Sequence, residues 1–263
     1  MDTQAYLQRI NYRGSIEPTL QTLQALHQAH LMAVPFENLS IHYGQPIILQ
    51  EEALFNKIVQ RQRGGFCYEL NGLFAWLLRR LGFQVLLLSA DVARGDGSFS
   101  PEFDHLTLLI HQLSGADWLA DVGFGASSML PLRFEAELEQ DGGDGRAYRL
   151  QRSTEESPAE KKYKYWVMQQ CNNEQWETQY RFTLRPYELI DFSARCLYQQ
   201  TSPESHFTQQ RICSLPTSTG RISLSDMRLI TTTGQERQEQ IIHGQEEYVA
   251  VLAERFGIVL EGA

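Results

Sequence analysis

The hydrophobic pattern of this 263-residue chain changes its period at about residue 82. Before that point, apolar residues recur every three or four positions, which is the spacing of one face of an α-helix. After it, the apolar runs are short and separated by turn residues, as in β-strands. We therefore predict an α+β fold, with a helical bundle over residues 1–82 and an antiparallel β-barrel or sandwich over residues 83–184. Residues 185–263 mix helical and strand-like segments and are predicted to form a third unit.

The predicted helical part rests on three apolar stripes. These comprise Leu20, Leu23, Leu26 and His30; Leu54, Phe55, Ile58 and Val59; and Leu70, Leu73, Phe74, Leu77, Leu78 and Leu81. Gly82 follows the third stripe, and glycine is favoured just past a helix end. The strand part rests on the runs FQVLLLSADVA, HLTLLIH, DWLADVGF, YRLQRS, YKYWVMQQ and QWETQYRFTL. The charged segment RSTEESPAEKK is predicted to be an exposed loop, and QEEYVAVLAERFGI to be an amphipathic helix.

The composition argues against several classes of protein. The chain has 32 acidic and 23 basic side chains, whereas affinity for nucleic acid comes from clustered Lys and Arg. Its four cysteines include no C-x-x-C pair, which argues against a zinc ribbon, a zinc finger or a thioredoxin-type site. We also expect no metal and no prosthetic group. No apolar run approaches the ~18 residues of a membrane helix, and the N-terminus lacks a signal-peptide pattern. We expect a cytoplasmic protein without a membrane partner, and the oligomeric state stays open.

The candidate nucleophile lies in RGGFCYELNGLF, residues 63–74. The stripe that starts at Leu70 predicts a helix that begins at about Cys67, so the thiol lies near the N–H groups of the first turn. The helix dipole favours a thiolate there and predicts a lowered thiol pKa. Gly64 and Gly65 permit a close approach to the backbone. The alternative interpretation is an inert structural cysteine, since cysteine is among the most buried residue types.

A thiol nucleophile requires an imidazole, and the imidazole requires a carboxylate that orients it. His105 opens the run HLTLLIH and Asp121 ends the next run, which predicts a hairpin that pairs them. If the turn centres near Leu113, the two side chains lie directly opposite each other; if it centres on Ser114–Gly115, they lie one diagonal step apart. The alternative for His105 is a hydrogen-bonded core histidine. No local spacing joins either residue to Cys67.

Several sequence blocks resemble a known enzyme family. The run RGGFCYELN (63–71) resembles the nucleophile signature of the arylamine N-acetyltransferases. The other similar blocks, in family order, are VPFENLSI (34–41), HLTLLI, DVGFG, FTLRPYELIDF (182–192) and YQQTSPESHFTQQRICSL (198–215). The resemblance covers about residues 15–220. One departure is the link between HLTLLI and DVGFG, which is one residue longer than in some members.

The resemblance implies a fold and a reaction. The fold is a helical bundle, a β-barrel and an α/β lid around a catalytic core like that of the cysteine proteases. The reaction transfers an acetyl group from acetyl-CoA, as co-substrate, to the thiol of Cys67 and then to the nitrogen of an aromatic amine or hydrazine. His105 is the implied base and Asp121 the residue that orients it. O-acetylation of N-hydroxyarylamines and turnover of xenobiotics are implied as well.

The resemblance also implies roles for residues around this triad. Arg63 and Glu37 are expected to form a structural ion pair beside the nucleophile, and Phe36 and Phe124 to form an aromatic wall for the amine. Gly125 is expected to allow a close approach of the coenzyme to the backbone, and Tyr198 and Ser202 to make further coenzyme contacts. The alternatives are two solvated charges for the ion pair and simple core packing for the aromatic rings.

Two other motifs and two other functions compete with this interpretation. GGDG (142–145) lacks the strand–helix context of a phosphate loop and carries acidic residues that repel phosphate. The pair His27 and His30 has the spacing of two metal ligands but no evident third ligand. A Cys-His-Asp triad also serves thiol proteases and transglutaminases, which would not be acetylated by acetyl-CoA. A non-catalytic binder of aromatic molecules is disfavoured because all three triad residues are present.

Overall fold

The computed structural model describes residues 1–156, 162–234 and 236–260. Its helices are α1 (Thr3–Arg9), α2 (Leu20–Ala33), α3 (Leu39–His42), α4 (Glu51–Phe55), α5 (Cys67–Arg80), α6 (Ser193–Thr201), α7 (His206–Gln209) and α8 (Gly244–Phe256), with a π-helix at Asn56–Gln60 and a 3₁₀-helix at Leu189–Phe192. Its strands are β1 (Phe36–Glu37), β2 (Gln84–Val92), β3 (His105–Leu113), β4 (Ala116–Ala120), β5 (Leu132–Arg133), β6 (Gln140–Asp141), β7 (Ala147–Glu156), β8 (Lys164–Asn172), β9 (Gln175–Tyr187), β10 (Ile212–Thr217), β11 (Gly220–Ser225), β12 (Arg228–Thr233) and β13 (Glu236–Ile241).

Helix α5 is the centre of the N-terminal part. Its residues from Cys67 to Leu78 are all buried, and only Arg79 and Arg80 at its end are exposed. A helix buried on every side belongs to the core, and α5 packs against α1, α4, β2 and β3. Gly82 follows with a φ of 92°, a conformation that favours glycine. The predicted start and end of this helix are confirmed.

One hydrophobic core joins the helices to the first strands. Leu23 of α2 and Leu73 of α5 belong to the same buried cluster as Leu87 of β2 and Leu106 of β3. Each such side chain contributes about 1.5–3 kcal/mol when it leaves water. The helix that carries Cys67 is therefore fixed against the sheet that carries His105. The division of the chain into domains at residues 82 and 184 stays a prediction.

The described strands of the middle part form an eight-stranded antiparallel sheet in the order β5-β4-β3-β2-β9-β8-β7-β6. The sheet curls into a nearly closed barrel, because Ala136, just after β5, bridges to Leu150 of β7. Eleven buried side chains fill it, among them Leu109, Tyr180 and Phe182. The predicted α+β fold class is confirmed, with the barrel as its central part.

A second antiparallel sheet has the order β1-β10-β11-β12-β13. Its first strand comes from the N-terminal part, since Phe36 of β1 pairs with Ser214 of β10. One face of this sheet packs against α8, where Ile222 and Leu224 meet Tyr248 and other apolar side chains. The sheet is tied to the nucleophile block through β1, because Phe36 also forms an isolated β-bridge with Gly65.

The predicted loop RSTEESPAEKK is wrong in its first part. Arg152–Glu156 extend strand β7, and Arg152 pairs with Trp166 of β8. The extension is favoured because a long hairpin satisfies the backbone groups of both strands. Residues 157–161 lie outside the described part of the chain. Within that part, no helix has both the length and the apolarity required to cross a bilayer.

Candidate active site

Close backbone contacts fix the start of α5. A Cβ at Gly64 would lie 2.0 Å from the carbonyl oxygen of Pro35, and a Cβ at Gly65 would lie 2.7 Å from the Cβ of Glu69. Real Cβ atoms do not approach other atoms so closely, so both positions require glycine. The glycine pair therefore permits a close approach of Pro35 and Glu69 of the same chain. This packing places Cys67 at the first turn of the helix.

A buried charge cluster lies behind this turn. Arg63 donates to the two carboxylate oxygens of Glu37 at 2.9 and 3.1 Å, and Lys57 lies 2.7 Å from Glu69. Burial opposes the ionisation of Glu37, but Lys57 and Arg63 outweigh it and lower its pKa. Burial raises the pKa of Glu69 despite Lys57. Because Glu69 also accepts a hydrogen bond from the Phe66 N–H at 3.1 Å, the cluster closes the first turn of α5.

The hairpin of β3 and β4 turns at Ser114–Gly115, where both residues have positive φ. The second of the two registers considered for the sequence is therefore present. Leu113 pairs with Ala116, but Ile110 pairs with Trp118, so a β-bulge adds one residue to β3. This extra residue lies in the link between the His and Asp blocks.

His105 and Asp121 meet beyond the bulge. Leu108 pairs with Ala120, which places Asp121 alongside Thr107 and one diagonal step from His105. The His105 Nε2 atom lies 2.6 Å from the Asp121 Oδ2 atom, and the two side chains are only 3% and 4% exposed. The Nε2–H group donates to the carboxylate, and Nδ1 remains as the other ring nitrogen.

Three further donors hold the Asp121 carboxylate. The Tyr180 hydroxyl donates at 3.1 Å, the Asn71 amide at 2.9 Å and the Gly123 N–H at 3.0 Å. Burial alone would raise the pKa of Asp121, but His105 and the hydrogen bonds from Asn71 and Gly123 outweigh it and lower the pKa. The carboxylate is therefore ionised and fixed in one orientation.

The sulfur of Cys67 lies beside the backbone that flanks His105. Sγ is 4.0 Å from the carbonyl oxygen of Asp104, and a hydrogen bond from the Leu106 backbone lowers the thiol pKa. Asn71, one turn further along α5, donates to the Leu106 carbonyl at 2.6 Å. The helix and the hairpin thus meet around the thiol. No hydrogen bond joins the thiol directly to the His105 ring among the described residues.

The predicted low pKa of the Cys67 thiol is wrong. Burial raises this pKa, and the carboxylates of Asp104 and Asp121 raise it further. Loss of hydration around the enclosed sulfur outweighs the helix dipole. The enclosure is tight because a Cβ at Gly123 would lie 2.8 Å from the Cα of Cys67. The sulfur is accordingly a thiol until a nearby base accepts its proton.

Sequence reasoning missed the part played by His27, which it considered only as half of a metal pair. His27 donates from Nδ1 to the Met129 carbonyl at 3.0 Å, and its Nε2 accepts from the Asp121 N–H at 3.2 Å. Burial lowers the pKa of His27 to about 4. His30 instead contacts the Tyr6 hydroxyl at 2.8 Å. Within residues 1–156, 162–234 and 236–260, no group of three His, Cys, Asp or Glu side chains is placed to hold a metal ion.

This chain is similar to known proteins over most of its length. A protein-family model described as N-acetyltransferase matches residues 19–263. A pineal-gland isozyme of arylamine N-acetyltransferase from Gallus gallus is 36% identical to this chain, and the match covers 99% of this chain and 95% of that protein. This chain belongs to the arylamine N-acetyltransferase family. The family transfers acetyl groups from acetyl-CoA to arylamines, so the predicted family and overall acetyl transfer are confirmed. The thioester on Cys67 and O-acetylation stay predictions.

Solved structures of the family share the fold. The arylamine N-acetyltransferase of Mycobacterium tuberculosis has a TM-score of 0.87 at 34% identity, over 98% of this chain and 94% of that one. The Mycobacterium marinum arylamine N-acetyltransferase in complex with CoA has a TM-score of 0.87 at 31% identity, over 98% of this chain and 93% of that one.

Aromatic rings surround His105 in this arylamine N-acetyltransferase site. Phe124 makes edge contacts with His105 and Tyr180, each at a centroid distance of 5.0 Å. Gly125 follows with a φ of 81°, and a Cβ there would lie 4.0 Å from the Cγ of Phe36. Phe36 and Phe124 therefore flank the same short segment, and Gly125 leaves that segment without a side chain.

The two residues expected to contact the coenzyme lie on α6 and at its end. Arg195 and Gln199 tie α6 to the residue before His105, since both donate to the Asp104 carboxylate, at 2.7 and 2.5 Å. Tyr198 is half-buried beneath the Arg195 guanidinium, 4.2 Å from its ring centroid, and Ser202 caps the C-terminal end of the helix. Their contact with the coenzyme stays a prediction of the arylamine N-acetyltransferase resemblance.

Proposed function

We propose that this member of the family transfers acetyl groups from acetyl-CoA to arylamines through a thioester on Cys67, with His105 as base and Asp121 as the residue that orients it. One observation carries the proposal. His105 is held by Asp121 at 2.6 Å, while its backbone neighbour Asp104 lies 4.0 Å from the Cys67 sulfur. A ring whose Nε2 is committed to a carboxylate offers its Nδ1 for proton transfer.

The raised thiol pKa defines the first step of this mechanism. Cys67 is protonated in the resting site, so its proton moves to His105 Nδ1 as the nucleophile forms. Ionised Asp121 stabilises the resulting imidazolium, because the two groups form a close ion pair. The thiolate therefore exists together with a protonated His105 rather than as an isolated buried anion.

The first half-reaction loads the acetyl group. The Cys67 thiolate attacks the thioester carbonyl carbon of acetyl-CoA, a C–S bond to the enzyme forms, and the bond to the coenzyme sulfur breaks. The coenzyme leaves as a thiol with the proton from His105. The backbone N–H of Cys67, in the first turn of α5, is the proposed donor to the carbonyl oxygen as it becomes negative.

The second half-reaction returns the enzyme to its starting state. The amine nitrogen attacks the acetyl carbon, His105 accepts the amine proton, and Cys67 departs as a thiolate that recovers its proton from the imidazolium. Phe36 and Phe124 are the proposed walls for the aromatic ring, and Phe207, at a centroid distance of 6.3 Å from Phe36, extends them. Hydrazines and N-hydroxyarylamines fit the same scheme, the latter with oxygen as the nucleophile.

Intact-mass spectrometry after mixing with acetyl-CoA tests the covalent step. We expect a mass increase of one acetyl group that peptide mapping locates on Cys67, and its loss when an arylamine is added. Cys67→Ser should remove the label, whereas Cys171→Ser, a matched change at a half-buried cysteine on β8, should retain it. A label on another residue, or none, would contradict the proposal.

The thiol's proton acceptor has its own test. His105→Gln should leave acetyl-CoA unable to label Cys67 at neutral pH and restore slow labelling at alkaline pH, where hydroxide can deprotonate the thiol. Labelling of this variant at the wild-type rate at neutral pH would show that another group accepts the proton. A cytoplasmic location stays a prediction from the sequence.

A further inference from the structure

An arginine of the second sheet lies on the face that looks away from α8. Phe36 pairs with Ser214, and Ser214 pairs with Ser223, so these three residues share one face of the sheet. Arg221, two residues before Ser223, lies on the same face and donates from Nη1 to the Ser214 hydroxyl at 2.9 Å. Ser223 contacts the same hydroxyl at 2.8 Å. The guanidinium of Arg221 is thus held on the face that carries the aromatic wall.

A second arginine reaches this region from the barrel. Arg146, in the turn between β6 and β7, has its Nη2 atom 3.4 Å from the carbonyl oxygen of Ala126. Ala126 follows Gly125, whose Cβ position is 4.0 Å from Phe36. Arg146 therefore lies against one side of the Gly125–Ala126 segment, while Arg221 is tied to the strand that pairs with Phe36 on the other side.

The two arginines differ in their partners. Arg146 is neutralised by Asp144, which accepts from its Nε at 2.7 Å and also contacts its Nη2. Arg221 forms no ion pair with any residue of the described ranges. Burial and the neighbouring Arg146 lower the pKa of Arg221 to about 10, although Asp144 and Tyr148 oppose this in part, and Arg221 is charged at neutral pH. A half-buried cation beside a second cation, with no bonded carboxylate, is poorly stabilised until an anion binds.

The position of this cation relative to the thiol relates it to the reacting site. Gly123 packs on Cys67, and Gly125 lies two residues further along, at most about 7 Å away along the chain. The arginines therefore stand at the rim of the site in which the thioester reacts. An acyl donor that reaches the sulfur with one end and carries its charge at the other fits this arrangement.

We propose that Arg221, supported by Arg146, binds a phosphate group of acetyl-CoA while the thioester end of the donor reaches Cys67. This inference rests on the proposed function, because it assigns the coenzyme's anionic part to a subsite of the same reaction. A guanidinium donates two parallel hydrogen bonds to phosphate oxygens, which suits it to this task. The subsite acts on binding of the donor and takes no part in proton transfer.

Two acyl donors with the same thioester distinguish phosphate binding by Arg221 from a purely structural role of this residue. Acetyl-CoA carries phosphates, whereas S-acetylpantetheine has the same reacting end without the nucleotide. In Arg221→Gln, we expect kcat/KM for acetylation of Cys67 by acetyl-CoA to fall about 10- to 100-fold, the loss of one charge-assisted contact. The rate with S-acetylpantetheine should stay unchanged, and Arg221→Lys should recover part of the acetyl-CoA rate.

The matched control is Arg80→Gln, which removes the same charge from an exposed residue at the far end of α5, about 20 Å from Cys67. It should leave both donors unaffected. Equal losses for the two donors in Arg221→Gln, or no loss, would overturn the inference. A selective loss in the second half-reaction, with 4-aminobenzoate but not aniline, would overturn it as well, because the anion would then be a carboxylate of the amine.

A measurement on the unmodified protein covers the case in which the variant does not fold. Inorganic diphosphate should slow acetylation by acetyl-CoA and leave acetylation by S-acetylpantetheine unaffected. Equal inhibition of both donors, or none, contradicts the phosphate subsite. If neither donor acetylates Cys67 of the unmodified protein, the proposed function itself fails, which is a different result from normal acetylation without donor discrimination.

Discussion

Replacement of His27 by glutamine tests whether burial keeps the His27 imidazole uncharged beside Asp121. Burial lowers the pKa of His27 from 6.5 to about 4. The difference of about 2.5 units, at about 1.36 kcal/mol each, corresponds to about 3 kcal/mol. Because the folded pKa lies below the unfolded one, the unfolded chain binds more protons below pH 6.5. The free energy of unfolding should therefore fall by this amount as the pH drops from about 6.5 to about 4.

Glutamine does not titrate, so His27→Gln lacks this dependence. At pH 7 the variant should be less stable by about 1–3 kcal/mol, since the Asp121 N–H or the Met129 carbonyl loses its partner. Urea denaturation in steps from pH 7 to pH 4 should show this difference shrinking by up to about 3 kcal/mol. Leu23→Ala, a buried change on the same helix, should cost about 2–5 kcal/mol at every pH.

A stability difference between wild type and His27→Gln that does not change with pH would refute this argument. It would mean that His27 takes up its proton with equal ease in the folded and unfolded chains, and hence that the ring is not confined between the Met129 carbonyl and the Asp121 N–H. A difference that grows toward acid pH would reverse the sign and refute the argument equally.

Two further changes test the contacts around the triad. Tyr180→Phe removes the hydroxyl that donates to Asp121 at 3.1 Å but keeps its ring, so we expect a loss of about 1.5–3 kcal/mol in the free energy of unfolding and slower acetylation of Cys67. Tyr6→Phe, an equally buried tyrosine that contacts His30 instead, should lose stability while keeping the acetylation rate. Gly123→Ala places a methyl group 2.8 Å from the Cα of Cys67, which should cost about 1–3 kcal/mol and slow acetylation about 10-fold or more. Urea denaturation and mass-spectrometric rates check both; a Tyr180→Phe protein that acetylates at the wild-type rate, or a Gly123→Ala protein as fast and stable as wild type, would contradict them.

Local patterns in the sequence are sufficient to predict the position of Cys67 at the start of a helix. The leucine stripe after Leu70 and the glycine that ends it at position 82 define α5, and the helix begins at Cys67 as the stripe indicates. These signals work because helix period and helix ends depend on neighbouring residues. The pairing of His105 with Asp121 follows in the same way from a hairpin of consecutive strands.

Properties that depend on distant parts of the chain could not be predicted. The pKa of Cys67 is raised by enclosure against Gly123 and by Asp104, and both residues are far from it in sequence. Helix dipoles are visible in a sequence, whereas loss of hydration depends on the packing of the whole domain. His27 was missed for the same reason, since its contact with Asp121 spans 94 residues.

The bulge in β3 shows why the register of the hairpin was the hardest part of the site to predict. Side chains alternate between the two faces of a strand, so a shift of one residue moves every later side chain to the other face. With the turn at Ser114–Gly115 and no bulge, His105 and Asp121 would point to opposite faces. The extra residue between Ile110 and Leu113 restores a common face, and the Asp117 carboxylate, which accepts from the Gln112 N–H at 2.8 Å, holds it in place. With this turn the bulge residue is therefore required, because it brings the carboxylate to the side of the sheet that carries the imidazole.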